Sequence, residues 1–486
     1  MLCKASGCCR YTAMKRDVRK PAARERYEKM LAAKEKSYFE VEEIEDIADS
    51  YENEMAIRKA LQVVSYGLGL YPGDEALLLR KAQYLLSLDR IEEAGRTLES
   101  VTDRGIEYLL VKGEVELLRG NDREAVAAFL SVIGHDDCQI EDCIDIVDIL
   151  FDDNRQELLG ALIPDMEEHI DDMTPVYREI ALSCEERQDT EEAVFWYNKL
   201  LDINPYSTDD WAELAKAYVR LQRYEEAIEA CDYALAIDDK DENILSYKGF
   251  CFLLAGRSQE AAKQFDEFRE VTSDKSVAYE YIAQVYINEE KEEVAIEYLQ
   301  KAIEENEHNG NAYYKLAVCY YSMGDNKAAI ETLRKSLSYN DGDIMSNIFL
   351  GELLAQEGRY QEAYDYLSPF SHAAVFDEAA AVALADTCLK TKRYDEVIKL
   401  LEQFMVKFPS DPDMYWCMIV ACIYSDRLDD AVGWMQRAEE LLQDAKSEKR
   451  YDMETLEKWK KIEQDLHGLR STLDKYMMNK DKYSDK

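Results

Sequence analysis

Acidic side chains and one histidine gather about a third of the way along the chain, and residues of these types could hold a metal ion. They are Glu167, Glu168, His169, Asp171 and Asp172. A solvated helix end explains the same run without any ligand, and we favour that interpretation. The segment Asn340-Asp341-Gly342-Asp343 begins like a calcium loop but lacks the remaining ligands, so it is predicted to be a turn. The sequence therefore predicts no metal site.

The motifs of common enzyme classes are missing from the sequence. It contains no phosphate-binding P-loop, no H-E-x-x-H zinc motif and no G-x-S-x-G nucleophile turn. The glycine-rich segment Gly67-Leu68-Gly69 precedes Pro72, a residue that stops helices, so it is predicted to end a helix. His308 and His372 fall in predicted loops without a partner. We therefore predict that the chain is not an enzyme and takes no cofactor.

The elements that the sequence does specify are paired helices, most clearly from Thr208 to Asp241. Apolar residues in this unit follow the spacing of one helical face, at Trp211, Leu214, Ala215 and Tyr218. After a short break at Gln222–Tyr224, a second helical face follows at Ala227, Cys231 and Ala234. Neither helix can bury its apolar stripe alone, so each needs the other and a neighbouring copy of the unit.

Copies of this unit are present along the chain. The small residue at Ala227 recurs every 34 residues, at Ala193, Ala261, Ala295, Ala329, Ala363, Val397 and Ala431. Weaker copies precede them, and the predicted array of about twelve units spans residues 41–445. Its approximate boundaries are 41–74, 75–105, 106–139, 140–173, 174–207, 208–241, 242–275, 276–309, 310–343, 344–377, 378–411 and 412–445. A basic extension and lead-in helix (1–40) precede the array, and a C-terminal helix (446–486) follows it. The predicted class is all-α.

Charge is distributed unevenly along the chain. The net charge is −42, yet residues 1–36 hold eleven basic and four acidic residues. So acidic a body repels phosphate backbones, which argues against a nucleic-acid partner and favours a cationic one. No apolar run is long enough to cross a membrane. Cys184, Cys388 and Cys422 fall in the apolar column of Tyr218 and indicate a reducing compartment, so we predict a cytoplasmic protein.

These repeats resemble the tetratricopeptide repeat (TPR) family. The family places a large residue, Leu, Gly or Ala, and an aromatic on the first helix, then Ala, an aromatic and Ala on the second, and often Pro in the loop that follows. Residues matching that pattern are Trp211, Leu214, Ala215, Tyr218, Ala227 and Ala234, with Ala193, Tyr197 and Pro205 in the preceding unit. Lys112, Lys248, Asn347 and Ala381 depart from it. The resemblance implies a right-handed α-solenoid whose first helices line a concave, ligand-binding groove.

Four places in each first helix are predicted to face that groove, and in the early units they are acidic. The acids singled out are Glu42, Glu45, Asp46 and Asp49 in the first unit, and Glu141, Asp145 and Asp148 in the fourth. Over the first four units these places hold nine acids and one base, Arg80. The sequence therefore predicts a groove that attracts a cationic peptide at one end.

In the central units the same places carry aromatic and amide groups. Candidate contacts for an extended peptide are Tyr247, Phe250, Tyr281 and Tyr314, beside Asn243, Gln284, Asn311 and Lys315. The alternative is that these aromatics only pack against their neighbours. Both interpretations stay open at the level of sequence.

The predicted function is a non-catalytic scaffold that binds protein or peptide segments, most readily basic ones. As an alternative, the chain is the regulatory subunit of an enzyme and docks through its C-terminal helix. In that helix Trp459, Ile462, Leu466, Leu469, Leu473 and Tyr476 share one face. We favour a cap on the array over self-association through residues 456–477. A further hypothesis places the basic residues 1–36 in the acidic groove as a tethered pseudo-ligand.

Overall fold

The computed structural model describes residues 22–34, 37–373, 375–409 and 411–447, together with 457–460, 462, 468 and 470. Helices succeed one another through these residues, and no strand occurs among them. The chain divides into two compact units, Met1–Ile244 and Leu245–Lys486. The all-α repeat fold predicted from the sequence is confirmed. No helix in the described ranges combines the length and the apolar character needed to cross a bilayer.

The helices are numbered in chain order. Those of the first unit are α1 (Ala22–Ala33), α2 (Val41–Glu52), α3 (Ile57–Leu70), α4 (Glu75–Ser87), α5 (Ile91–Leu98), α6 (Ile106–Leu118), α7 (Asp122–Ile133), α8 (Ile140–Asp152), α9 (Leu159–His169), α10 (Thr174–Glu186), α11 (Thr190–Ile203), α12 (Thr208–Arg220) and α13 (Tyr224–Ile237). The remaining helices are α14 (Glu242–Leu254), α15 (Ser258–Val271), α16 (Lys275–Asn288), α17 (Glu292–Glu305), α18 (Gly310–Ser322), α19 (Asn326–Tyr339), α20 (Ile344–Gln356), α21 (Tyr360–Leu367), α22 (Glu378–Lys390), α23 (Tyr394–Lys407), α24 (Pro412–Tyr424) and α25 (Leu428–Ser447). Short 3-10 turns lie at Gln156–Leu158 and Ser368–Phe370.

Small residues allow the two helices of a repeat to approach closely. Ala215 and Ala227, on facing helices α12 and α13, are both fully buried. At the position equivalent to Ala215, Gly249 lies so near α15 that an added Cβ would overlap the Phe265 ring. No bulky side chain fits there, and this explains the column of small residues in the sequence.

The turn between the paired helices is a second repeated feature. Each contains a residue with positive φ: Met55, Asp89, Gly120, Asn154, Gln188, Gln222, Gly256, Glu290, Gly324, Gly358, Lys392 and Asp426. Successive members are one full repeat apart, except for the shorter step from Asp89 to Gly120. After α12, the amide of Arg223 donates to the carbonyl of Tyr218 at 2.8 Å, and this hydrogen bond closes a Schellman motif around Gln222. A left-handed residue thus ends each first helix and turns the chain back.

Helix α1 closes the N-terminal end of the array. Arg24 is 2% exposed and forms a bidentate ion pair with Glu54, in which each of two guanidinium nitrogens lies 2.7 Å from a carboxylate oxygen. Tyr27 and Met30 are buried in the same core as Ile44 and Ile47 of α2. This part of the basic extension therefore packs as a helix on α2. The pseudo-ligand hypothesis is left with the rest of residues 1–36, of which 1–21 and 35–36 lie outside the described residues.

At the other end, two described residues of the C-terminal segment, Trp459 and Ile462, are buried against the last repeats. Trp459 has no exposed surface, and its ring centroid lies 5.9 Å from that of Tyr415 in α24. Ile462 joins the same core. Trp459 and Ile462 thus belong to the core of the last repeats, and the cap itself stays a prediction. The other residues of the predicted seam, Leu466, Leu469, Leu473 and Tyr476, lie outside the described residues.

The divergent repeat at 140–173 departs from the regular packing. Leu159 is buried where most units have a small residue. Helix α9 starts after the 3-10 turn and packs mainly against α7, while its contact with α8 is slight. The bulk of Leu159 thus separates the two helices of this repeat.

Candidate partner-binding site

The first helices of neighbouring repeats lie side by side in the first unit. Helix α4 contacts α6, α6 contacts α8, and α8 contacts α10. The Asp49–Arg80 ion pair joins α2 to α4 in the same way. Acidic residues at corresponding places of these helices therefore belong to one continuous row of helices.

The α2 acids are Glu42, Glu45, Asp46 and Asp49. Glu42 and Asp46 are exposed, while Glu45 and Asp49 are half-buried. Burial raises the pKa of Glu45, and the carboxylates of Asp49, Asp74 and Glu42 add to the rise against the opposing charge of Arg80. The single guanidinium of Arg80 therefore offsets only part of the repulsion among these carboxylates.

The α8 acids are Glu141, Asp145 and Asp148. Glu141 is exposed, and the other two are half-buried. The carboxyl of Asp148 faces that of Glu179 on α10, and burial together with this negative neighbour raises the pKa of Glu179. Arg178, next to Glu179, is held by the buried Asp210 at 2.9 Å.

Sequence reasoning did not single out Glu179. A signal was available, because Glu179 follows Asp145 by one repeat length and occupies the same place in its helix. The structure thereby extends the acidic row from α8 to α10.

The central aromatic candidates lie in the second compact unit and contact one another closely. Phe250 meets Tyr281 edge to face with ring centroids 4.8 Å apart, and both rings pack on the buried Phe265. Tyr314 meets Phe349 in the same way at 5.9 Å. Tyr247, like these three candidates, is half-buried. Packing between neighbours therefore accounts for much of their ring surface.

Lys315 is engaged in an ion pair inside the repeat array. Its ammonium lies 2.9 Å from a carboxylate oxygen of Glu280, which is 5% exposed. Asn311 and Asn309 donate to the same carboxylate. The sequence did not identify Glu280, because a carboxylate at a position predicted to face the groove gives no indication that neighbouring side chains will bury it. Lys315 therefore neutralises the buried charge of Glu280, and Asn311 donates a hydrogen bond to it.

A match to a known family agrees with this architecture. Residues 218–410 match the model described as "Tetratricopeptide repeat protein 21 N-terminal ARM repeat". The match falls on regular helix pairs, with one left-handed turn in each repeat. The matched segment is therefore similar to tetratricopeptide repeats.

Solved TPR structures resemble parts of the chain at low identity. The Cut9–Hcn1 hetero-tetramer of the APC/C shares 14% identity, with a TM-score of 0.37, over 78% of this chain and 89% of that one. YrrB, "a TPR protein with an unusual peptide-binding site", shares 19% identity, with a TM-score of 0.30, over 38% and 95%. PilF of Pseudomonas aeruginosa shares 21%, with a TM-score of 0.34, over 43% and 96%. No curated protein sequence matches the chain.

Residues of the polar run at 167–172 form contacts within the repeat array. Glu167 accepts a hydrogen bond from Tyr177 and pairs with Lys199 at 2.8 Å. Asp172 accepts from the amide of Thr174 at the start of α10, and bonds to this residue lower the pKa of its carboxyl. Across the described ranges, no group of three His, Cys, Asp or Glu side chains is placed to hold a metal.

Proposed function

We propose that this TPR protein is a non-catalytic cytoplasmic scaffold that binds a cationic segment of another protein. The binding surface comprises the α2 acids and the α8 acids, extended by Glu179. The observation that carries the proposal is the ratio of charges on that surface. Arg80 is the one base at the inner places of α2, α4, α6 and α8, and it is committed to Asp49. A ligand that brings Lys or Arg lowers the repulsion among the remaining carboxylates.

The aromatic residues Tyr247, Phe250, Tyr281 and Tyr314 are assigned a secondary role. Their rings are half-buried, so their exposed parts can stack on peptide side chains while the buried parts hold the repeats together. The polar partner groups Lys315 and Asn311 already serve Glu280, and the acids therefore supply the main attraction.

The test is charge reversal at the two exposed acids of α2, in the double variant Glu42→Lys/Asp46→Lys. The matched control is Glu124→Lys/Asp136→Lys, which reverses two exposed acids on α7 and the loop after it. Binding of a fluorescein-labelled peptide of alternating Gly and Lys is followed by fluorescence anisotropy. We expect the α2 variant to weaken binding about tenfold at low salt and the control to change it less than about twofold.

Salt provides the second measurement. Screening lengths fall from about 10 Å at 0.1 M to about 3 Å at 1 M, so wild-type affinity must drop steeply over this range. Binding that is indifferent to salt, or equally weakened in both variants, would contradict the assignment of the α2 acids.

A further inference from the structure

Exposed aromatic residues gather at one end of the helices in the repeat 208–241. Tyr233, on α13, is 57% exposed and stacks on Trp211 of α12 with ring centroids 4.6 Å apart and planes 20° from parallel. Tyr206 in the preceding loop is 78% exposed, and Ile237, one turn after Tyr233, is 39% exposed. We call Tyr206, Trp211, Tyr233 and Ile237 the edge patch.

Hydrogen bonds fix the edge patch in place. The indole nitrogen of Trp211 donates to the carbonyl of Pro205 at 3.0 Å, which also places Tyr206 beside it. The amide of Tyr206 donates to the side chain of Asn204 at 3.1 Å and shapes the loop. A ligand would therefore meet ordered rings, and little freedom would be lost on binding.

Other repeats place a lysine where this repeat has Tyr233. The ammonium of Lys199, on α11, lies 4.5 Å from the ring centroid of Tyr177 on α10. The ammonium of Lys335, on α19, lies 5.3 Å from the ring centroid of Tyr313 on α18. Tyr233 follows Trp211 by the same interval in sequence that separates each of these pairs, so a second ring replaces the internal cation. In the described part of the chain, no Lys or Arg side chain lies over the ring of Trp211 or Tyr233.

Carboxylates lie close to the exposed rings in the sequence, and two of them, Asp238 and Asp241, accept hydrogen bonds from backbone amides of the following loop and helix. Glu229 precedes Tyr233 by one turn of α13 and is exposed. After Ile237 the chain continues through Asp238, Asp239, Lys240 and Asp241, three acids and one base. Aromatic faces beside carboxylates attract a guanidinium, which stacks on rings through its plane and keeps its charge at any working pH.

We infer that the edge patch docks an arginine-containing segment of a protein partner, with the guanidinium against the Trp211–Tyr233 stack. This surface lies on α12 and α13 and the loops beside them. It uses none of the α2 or α8 acids, so it is a second contact surface that stands apart from the proposed function.

The decisive variant is Tyr233→Lys, which installs the internal cation that Lys199 and Lys335 supply in other repeats. The control Phe195→Lys adds the same charge at an aromatic residue of α11 that is 52% exposed. Tyr233→Leu removes the ring while keeping an apolar cover over Trp211. The probes are labelled peptides of alternating Gly and Arg, and of alternating Gly and citrulline, which is planar but neutral.

We expect Tyr233→Lys to weaken binding of the arginine peptide about threefold to tenfold, and Tyr233→Leu to weaken it less. Phe195→Lys should leave binding within about twofold, and the citrulline peptide should bind weakly throughout. Equal weakening by Tyr233→Lys and Phe195→Lys, or equal binding of both peptides, overturns the inference. Circular dichroism melting shows whether each variant is folded. If Tyr233→Lys does not fold, Tyr233→Leu is the test: weaker binding of the arginine peptide supports the inference, and unchanged binding overturns it.

Repeating Tyr233→Lys in the Glu42→Lys/Asp46→Lys background separates the two proposals. A loss that persists there supports the edge patch independently of the α2 acids. If the loss disappears in this background, the peptide binds at α2 and the edge patch is rejected, while the proposed function stands. If Glu42→Lys/Asp46→Lys alone has no effect and Tyr233→Lys does, the proposed function fails and the edge patch stands.

Discussion

Equivalent places on the first helices are used differently in the two compact units. On α2 and α8 the residues are carboxylates, with Arg80 the single base at the inner places of the first four repeats. From α14 to α18 the rings of Phe250 and Tyr281 fill space against each other, and Lys315 neutralises Glu280. The first surface carries an excess of negative charge. In the second, the described contact between Lys315 and Glu280 pairs opposite charges within the repeats.

This difference shows that the position of a residue in the repeat determines where its side chain lies but does not determine which neighbouring group it binds. Lys315 and Arg80 occupy the same place in their repeats, and each binds a carboxylate of the preceding repeat. Glu280 is nearly buried, so its pair with Lys315 contributes to stability. Asp49 is half-buried among other acids, so its pair with Arg80 mainly reduces repulsion.

Replacing Lys315 by Met should destabilise the repeats around α16 and α18. Removing one partner of a fully buried ion pair costs about 3–5 kcal/mol. Asn309 and Asn311 remain to serve Glu280, so we expect a loss of about 2–3 kcal/mol in the free energy of unfolding. Hydrogen exchange measures it best, because losses in a repeat array act mainly on neighbouring units.

Two variants serve as controls for Lys315→Met. Lys327→Met removes an exposed lysine of α19 and should change stability by less than about 0.5 kcal/mol. The double variant Glu280→Leu/Lys315→Met removes both charges and should recover most of the loss. If Lys315→Met leaves exchange in α16 and α18 unchanged, the pair is not the stabilising contact described here.

Glu352 on α20 tests whether acids of the second unit behave like those of α2. Burial, with a further contribution from the Asp377 carboxylate, raises the pKa of Glu352 to about 7. Because the folded state binds this proton more tightly than the unfolded state, Glu352 contributes stability below about pH 4.5 that is lost as the pH rises through 7.

Glu352→Gln mimics the protonated side chain and should remove this pH dependence. Between pH 5 and pH 8 we expect wild type to lose about 1–2 kcal/mol more stability than the variant, allowing for partial exposure. Urea unfolding at several pH values measures the difference. Parallel profiles for the two proteins would mean that Glu352 ionises as freely as a surface carboxylate.

The repeat fold was predictable from sequence because it depends on local pattern. Ala227 and its equivalents recur at a constant interval, and small size is a property that a sequence displays directly. Gln222 and Glu290 were not recognisable as left-handed residues, because a side chain can be held there at a cost of about 1–2 kcal/mol. Charge pairing across repeats was also hidden. Glu280 and Glu45 are both glutamates at the same place in their repeats. Contacts with the neighbouring helix bury Glu280, whereas Glu45 is half-buried.

Arg80→Met gives the smallest expected effect and bears most directly on the acidic surface. The substitution keeps most of the side-chain volume and removes the base that offsets Asp49 and lowers the pKa of Glu45. Affinity for the Gly–Lys peptide should rise about threefold at low salt and return to the wild-type value near 1 M salt. Arg123→Met removes an exposed charge of the same sign from α7 and should leave affinity nearly unchanged. A rise in both variants would indicate that only net charge matters. A fall in Arg80→Met would mean that Arg80 positions Asp49 for the ligand, and that the α2 acids bind through a fixed geometry.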